Sequence, residues 1–233
     1  MLDRRMWLVA LLACLLPSCA RAPLPRPARP PVRLADLTET RSRWPRREVL
    51  DLAMQAYSCG RNLGVLDERP LLTVIDYSLP SSQRRLWVID LARRRVLFNE
   101  LVAHGANSGD AVATAFSNTL GSRQSSLGLF RTAAPYIGQH GRSMRLVGLE
   151  PGINDRAEER AIVMHGASYV SAAHVRTYGR IGRSWGCPAL PQDVNDQVID
   201  RIQNGTALFA YYPDRDWLRS SRFLHCDGRV AAR

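Results

Sequence analysis

The chain has 233 residues, of which 45% are hydrophobic and 23% are charged, and its formal net charge at pH 7 is +11. This length suits one globular domain with additional flanking segments. The basic charge favours contact with anionic polymers, but no nucleic-acid-binding motif accompanies it, so the sequence predicts no nucleic-acid partner.

Residues 1–20 are typical of an export signal. Arg4 and Arg5 precede an uncharged apolar run, 6–16, that is far shorter than the ~20 residues of a membrane-spanning helix. Residues 16–19, LPSC, resemble a lipobox, which would make Cys19 a lipid anchor. Ordinary signal cleavage after Ala20 is the alternative. Either route predicts an exported protein of the periplasm or outer envelope, as a lipoprotein in the first case only.

Three segments follow the leader. Residues 21–43 are rich in proline and arginine without apolar periodicity, which predicts an extended linker. Residues 44–226 suit one domain, and residues 227–233 form a short C-terminal tail.

The predicted elements of this domain are one helix, a run of strands and a second helix. Apolar residues at 49, 52, 53, 56 and 57 predict an amphipathic helix between Pro45 and Gly60. A second helix is predicted from apolar residues at 194, 198 and 202, between Pro191 and Gly205. Residues rich in β-branched and aromatic side chains predict strands at 71–77, 85–91, 95–102, 127–131, 144–149, 161–165 and 207–212, with a hairpin turn at 92–94. The pattern therefore predicts a mostly-β domain with two flanking helices.

The cysteine count predicts one free thiol. Cys14 and Cys19 fall in the leader, so three cysteines remain in the domain, and an odd number in an oxidising compartment leaves one unpaired. Cys59 and Cys226 lie near the two ends of the domain, where chain termini often meet, and we predict a disulfide between them. Cys187 is then the free thiol.

Residues 182–188, GRSWGCP, place Cys187 behind a turn of small residues, with His165 upstream. A thiol attacks an amide carbonyl as a thiolate, so we expect His165 as base and Arg183 or Arg180 as a cation that lowers the cysteine pKa. Gly186 leaves room for a carbonyl, and the N–H groups of residues 186 and 187 could bind an oxyanion. The alternative is an inert cysteine that packs like a small hydrophobic residue.

The other four histidines are not predicted to take part in catalysis. His104 and His140 each precede a glycine, which favours turn or surface positions over a place in a cleft. We expect His174 to face solvent, and His225 to lie near the terminus without a role.

His165-Gly166 followed by Ser184-Trp185-Gly186-Cys187 resembles the HG...SxGC signature of the murein L,D-transpeptidase catalytic-domain family. The resemblance covers most of residues 45–226, through segments at 74–78, 116–118, 124–128, 148–152, 164–167 and 182–191. Members of this family cross-link or modify bacterial peptidoglycan through a cysteine acyl-enzyme. The resemblance implies a β-sandwich or barrel and a transferase that acts on stem tetrapeptides without a metal or cofactor.

The resemblance also implies roles for individual residues. Cys187 would be the nucleophile, His165 the base, and the backbone at Gly186 and Cys187 the oxyanion hole. The Ser184 hydroxyl would shape the site, and we expect substrate to contact Ser184, Arg183, Trp185, Gly166 and Arg180.

Two features depart from the family pattern. The commoner signature continues with an aliphatic residue and an arginine, whereas Pro188-Ala189 follow Cys187 here, so Arg183 or Arg180 would replace the missing arginine. The interval of 22 residues from His165 to Cys187 is longer than in many members, which predicts a longer loop from 167 to 182 that could change the choice of acceptor.

Three alternative functions remain at this point. Water as the acceptor would make the protein an L,D-carboxypeptidase. The predicted linker and the basic charge would also suit a module that binds the cell wall without catalysing a reaction. A zinc site using His165 and Cys187 is the third, although the chain lacks HExxH and CxxC spacing.

Overall fold

The computed structural model describes residues 44–226. The predicted leader with Cys14 and Cys19, the linker at 21–43 and the tail at 227–233 lie outside the described residues. Within the described part, no helix combines the length and the apolar character needed to cross a bilayer.

Eight strands form one sheet that is rolled into a nearly closed barrel. The strand order is β3-β2-β1-β8-β4-β5-β6-β7. The backbone N–H of Ala103, after β3, donates to the carbonyl of Ala189 in β7 at 2.9 Å, which links the two edges. The elements are α1 (Arg47–Asn62), β1 (Leu71–Asp76), β2 (Leu86–Asp90), β3 (Arg95–Glu100), β4 (Gly128–Gly138), β5 (Gly141–Gly148), β6 (Val163–Gly166), α2 (Ala172–Tyr178), β7 (Ala189–Leu190), α3 (Gln192–Ile202), β8 (Ala207–Tyr211) and α4 (Arg215–Ser220).

The core lies where the central strands are covered on both faces. Every residue of β1, β2 and β8 is buried, which is why the sequences of these strands are mostly apolar instead of alternating between apolar and polar residues. Helix α1 packs against β1 and β8, while α3 packs against β5 and β6. Helix α3 therefore supports β6, the strand that carries His165.

The predicted mostly-β fold is confirmed, with corrections to individual elements. Helix α1 continues through Gly60 to Asn62, because this glycine faces the core, where an added Cβ would lie 2.7 Å from Leu66 Cδ1. Strand β4 extends past the predicted end at 131, since a register shift at Thr132/Pro135 accommodates the proline that cannot donate to a ladder. The described residues form four helices instead of two, because α2 and α4 are too short for a periodic signal.

The structure joins Cys59 and Cys226 by a disulfide, with the sulfur atoms 2.07 Å apart. Cys59 lies in α1 and is buried, and Cys226 follows α4, so the bridge ties the last described residue to the first helix. Cys187 is the free cysteine of the described residues.

Replacing both bridged cysteines by alanine is expected to lower the free energy of unfolding by up to ~5 kcal/mol, because the bridge closes a loop across 167 residues. The midpoint of thermal unfolding should fall by on the order of 10 °C for a domain of this size. Circular dichroism of the oxidised protein measures this shift, with Cys187→Ala as the control that leaves the bridge in place. An equal midpoint in the bridged and unbridged proteins would contradict the prediction.

A buried arginine and a buried histidine, Arg85 and His104, form a hydrogen-bonded cluster in the interior. The Arg85 side chain is fully buried and donates from Nε and Nη2 to the Val102 carbonyl, at 3.1 and 2.9 Å, and from Nη1 to the Leu79 carbonyl at 2.7 Å. Its Nη2 also lies 2.7 Å from His104 Nδ1. Because a guanidinium only donates, Nδ1 is the acceptor and the imidazole is neutral. His104 has no exposed surface, so the turn or surface position predicted from its following glycine is wrong.

This cluster makes stability depend on pH. Burial, and then the charge of Arg85, lower the pKa of His104 from 6.5 to about 4. Between these values the unfolded chain binds a proton that the folded chain does not, so stability rises with pH across the window. About 3 kcal/mol of unfolding free energy should be present above pH 6.5 and lost as the pH falls to about 4.

Urea denaturation at pH 7 and pH 5 measures this loss in the wild type and in His104→Gln, which keeps an acceptor for Arg85. The wild type should lose more stability than the variant between the two pH values. Equal losses would show that His104 is not the responsible group.

Candidate active site

The turn that carries Cys187 is held by three hydrogen bonds. Ser184 Oγ donates to the Cys187 carbonyl at 2.6 Å and accepts from the Gly186 N–H at 3.1 Å. Ser125 Oγ donates to the Gly186 carbonyl at 3.2 Å. Gly186 has φ 120°, and a Cβ at this position would lie 2.8 Å from the Gln124 carbonyl oxygen. The turn therefore requires glycine before the cysteine, and Ser184 fixes its shape.

The start of β6 surrounds the sulfur of Cys187. The Val163 N–H donates to Sγ at 3.4 Å, and Sγ lies 3.7 Å from the Ala161 carbonyl oxygen. Burial raises the pKa of Cys187, while the Val163 N–H and the charge of Arg160 lower it by less. The sequence led us to expect a lowered pKa, and the shift has the opposite direction because the thiol is desolvated. The resting thiol is therefore protonated at neutral pH.

His165 lies in β6 and is almost fully buried. Its Nδ1 is 3.0 Å from the Gly166 carbonyl oxygen, so Nδ1 carries the hydrogen and Nε2 has the free lone pair. Burial lowers the pKa of His165, the Gly166 carbonyl raises it, and the charge of His140 lowers it further. No hydrogen bond joins the imidazole to Cys187 Sγ within the described residues. The imidazole is thus neutral and in the tautomer that accepts a proton at Nε2.

Cys187 and His165 line the same cavity, of about 390 Å³. Among the described residues, no aspartate or glutamate lines it. The wall is aromatic and basic instead, with contributions from Tyr136, His140, Arg160, Tyr169, Arg183 and Trp185. Such a cavity suits an acidic ligand that also has apolar surface.

Three of the predicted substrate-binding residues line this cavity, namely Arg183, Ser184 and Trp185. The Trp185 side chain is 72% exposed, and the Arg123 guanidinium lies 4.4 Å from the centre of its ring. Arg183 is partly neutralised, because its Nη1 lies 3.3 Å from a carboxylate oxygen of Asp110.

Gly166 and Arg180 do not line the cavity, so the cavity lining does not support their predicted contact with substrate, which stays a prediction. Gly166 is buried against α3, where an added Cβ would lie 3.2 Å from Asn195 Cβ. Arg180 forms a 2.8 Å ion pair with Asp110 and donates to the Ile181 carbonyl. The long segment between His165 and Cys187 is not a simple loop either, since it contains α2.

Sequence reasoning missed several residues of the cavity wall, and two of them, His140 and Arg160, carry titratable or charged groups beside the predicted pair. His140, in the turn between β4 and β5, stacks on His165 with the ring centres 4.3 Å apart. Arg160 lines the cavity just before β6. His174 lies on α2 and contacts the Tyr178 ring in a tilted arrangement, outside the cavity lining. Neither His140 nor Arg160 belongs to a recognisable motif, and only the following glycine drew attention to His140.

A zinc site gains no support from side-chain positions. Within residues 44–226, no three His, Cys, Asp or Glu side chains come together as a group able to hold a metal ion.

The fold and site define a small β-barrel with a free cysteine and a neutral histidine in one basic cavity. The family model described as the L,D-transpeptidase catalytic domain matches residues 42–211. The chain therefore belongs to the L,D-transpeptidase catalytic-domain family, a family of cysteine transpeptidases of the bacterial cell wall.

Several solved structures are similar to the chain at low identity. An L,D-transpeptidase from Mycobacterium smegmatis is 14% identical with a TM-score of 0.39, covering 61% of this chain and 59% of its own. The helical cell shape determining protein Pgp2 from Campylobacter jejuni is 11% identical with a TM-score of 0.43, over 70% of this chain and 56% of its own. L,D-transpeptidase 1 from Mycobacterium tuberculosis is 13% identical with a TM-score of 0.34, over 61% and 62%.

The chain thus spans less than two thirds of the length of each of these proteins. No curated protein matched the chain.

Proposed function

We propose that this protein is a peptidoglycan L,D-transpeptidase that acts through a thioester on Cys187. The observation that carries the proposal is the free thiol in one cavity with His165, whose Nδ1 is engaged by the Gly166 carbonyl. The imidazole can then only accept a proton at Nε2. Membership of the L,D-transpeptidase family supplies the reaction type.

In the first half-reaction, the thiol proton passes to His165 Nε2 while Sγ attacks the carbonyl that joins the third stem residue to D-alanine. The imidazolium returns this proton to the departing nitrogen, D-alanine leaves, and a thioester remains. In the second half-reaction, an amine of another stem peptide attacks the thioester and gives its proton to the imidazole. The new amide forms as Cys187 receives the proton back as a thiol.

The pKa shifts determine when the thiolate forms. Burial raises the pKa of Cys187 and lowers the pKa of His165, so both shifts favour a neutral thiol and a neutral imidazole at rest. We therefore place proton transfer within the substrate complex, instead of in a preformed thiolate–imidazolium pair. Within the described part of the chain, the His165 imidazole makes no hydrogen bond to Cys187 Sγ. We therefore propose that substrate binding brings Nε2 and Sγ within hydrogen-bond distance.

The two N–H groups predicted to form the oxyanion hole, those of Gly186 and Cys187, are not equally free to bind an oxyanion. The Gly186 N–H already donates to Ser184 Oγ, whereas the Cys187 N–H has no acceptor in the chain from 44 to 226. We therefore assign oxyanion binding to the Cys187 N–H, with Gly186 placing that N–H through the turn.

The cavity wall supports an acidic peptide substrate. Arg183 and Trp185 line it, and its wall carries no carboxylate among the described residues. Stem tetrapeptides end in a carboxylate, which a basic cavity binds favourably.

The disulfide supports an exported location, where peptidoglycan lies. Bridges such as Cys59–Cys226 persist in oxidising compartments and are rare in the cytosol. We propose that the leader exports the chain, and anchoring at Cys19 stays a prediction.

Incubation of the domain with disaccharide tetrapeptides, followed by mass spectrometry, tests the function. Transpeptidation should yield free D-alanine and a cross-linked dimer in equal amounts. Disaccharide tripeptide without dimer would indicate the L,D-carboxypeptidase. Unchanged tetrapeptide would contradict the enzyme and favour a wall-binding module.

A further inference from the structure

Arg160 has an unusual set of partners for a half-buried arginine. Its Nη1 donates to the Ser117 carbonyl and to Ser126 Oγ, both at 2.5 Å. Its Nη2 donates to the Gln124 carbonyl at 2.5 Å and to Ser122 Oγ at 3.1 Å. All four partners are neutral, and no carboxylate within residues 44–226 forms an ion pair with this guanidinium. Its positive charge is therefore uncompensated.

The same guanidinium lies beside the cysteine turn. Arg160 directly precedes Ala161, whose carbonyl oxygen is 3.7 Å from Cys187 Sγ. A Cβ placed on Gly186 would lie 3.5 Å from Arg160 Nη2 and 2.8 Å from the Gln124 carbonyl that Nη2 binds. Arg160 thus fastens the segment 117–126 to the back of the turn and brings its charge close to the sulfur.

The other titratable groups near the sulfur do not supply a comparable charge. Burial raises the pKa values of Tyr77 and Tyr169 to about 12, so both phenols are neutral at pH 7. The lowered pKa of His165 keeps that ring neutral too. On the cavity wall, His140 is an exposed ring stacked on His165, and Arg183 is paired with Asp110.

We propose that Arg160 is a positioning residue for the nucleophile, whose uncompensated charge stabilises the Cys187 thiolate as it forms. This assigns to Arg160 the role predicted from the sequence for Arg183 or Arg180, both of which form ion pairs with Asp110. The effect on turnover rests on the proposed function, whereas the effect on the thiol does not. The direction in which Arg160 shifts the Cys187 pKa agrees with this role.

Alkylation of Cys187 by iodoacetamide as a function of pH tests the proposal without any peptidoglycan substrate. Arg160→Gln should reduce the alkylation rate at pH 7 about tenfold and move the alkylation profile to higher pH, because a nearby positive charge is lost. Arg160→Met is a second neutral variant that keeps the aliphatic stem. Arg160→Lys keeps the positive charge but loses the planar guanidinium with its several N–H donors. Its alkylation profile should therefore stay close to that of the wild type.

Two arginine controls separate this effect from a change in net charge. Arg156→Gln removes one charge four residues before Arg160, at an exposed residue that is paired with Glu159. This variant should leave alkylation unchanged. Arg183→Gln tests the competing cation and should have a smaller effect than Arg160→Gln. Thermal unfolding of each variant verifies the fold.

Three results would overturn the proposal. Normal alkylation in both folded neutral variants would remove the electrostatic role. Equal losses in the Lys, Met and Gln variants would mean that Arg160 only holds the segment 117–126. A loss in Arg183→Gln without one in Arg160→Gln would identify Arg183 as the cation. Because alkylation requires no stem peptide, none of these results depends on whether the protein is a transpeptidase.

Discussion

Replacing Cys187 by alanine is expected to abolish release of D-alanine from disaccharide tetrapeptides, with a loss of at least about 10⁴-fold. The reason is that the sulfur forms the covalent bond, and no other free cysteine lies in the described residues 44–226. The fold should survive, because the side chain loses one atom whose closest polar contacts are the Val163 N–H and the Ala161 carbonyl. Product analysis by mass spectrometry measures the loss, and circular dichroism verifies the fold.

The matched control removes the two cysteines of the disulfide instead of the nucleophile. The Cys59→Ala/Cys226→Ala protein lacks the disulfide and keeps Cys187, so it should turn over substrate at temperatures below its lowered unfolding midpoint. Retained turnover in Cys187→Ala would contradict a thioester at this residue.

Replacing His165 by asparagine is expected to reduce kcat/KM by about 10²–10⁴-fold, the range typical of a general base. Asparagine can still donate to the Gly166 carbonyl, which should preserve the local strand while removing the acceptor at Nε2. Turnover at pH 7 measures the loss. The variant keeps Arg160 and the Val163 N–H beside the sulfur, so Cys187 should remain open to alkylation.

His174→Asn is the control for this experiment, because His174 is the histidine closest in sequence to Cys187 after His165. It lies on α2, contacts the Tyr178 ring and does not line the cavity, so its replacement should leave turnover near the wild-type value. A large loss in His174→Asn together with normal turnover in His165→Asn would reverse the assignment of the base.

Most of the sheet could be predicted from the sequence, because its central strands are long and buried. The run at 71–77 agrees with β1 to within one residue, since every residue of that strand is buried and four of its six side chains are aliphatic. The two-residue β7 could not be predicted, because its pairing with β6 comes from tertiary contact and leaves no pattern in so short a segment. Helix α2 depends on a Ser171 cap and has no buried residue, so it lacks an apolar stripe.

The candidate site was only partly predictable. Cys187 and His165 stood out because each adjoins a glycine in a recognisable motif. Arg160 did not, because its importance depends on carbonyl and hydroxyl oxygens more than 30 positions away in the chain, such as those of Ser117 and Ser126. His140 reaches His165 only because β4 and β5 form a long hairpin, and hairpin length depended on an unforeseen register shift.

The direction of the Cys187 pKa shift was also beyond the sequence. Motif reasoning counts the bases and cations that neighbour a thiol, whereas the largest effect here is burial. Burial depends on how β6 and the cysteine turn pack together, which neither segment reveals alone.

Intact-mass spectrometry of the acyl-enzyme tests the central proposal most directly. The domain is mixed with disaccharide tetrapeptide, quenched in acid and weighed, and the modified residue is located by peptide mapping. We expect the protein mass to increase by one tetrapeptide less D-alanine, with the added group on Cys187 and no addition in Cys187→Ala. Turnover of the tetrapeptide without any adduct on Cys187, or with the adduct on another residue, would contradict the thioester mechanism.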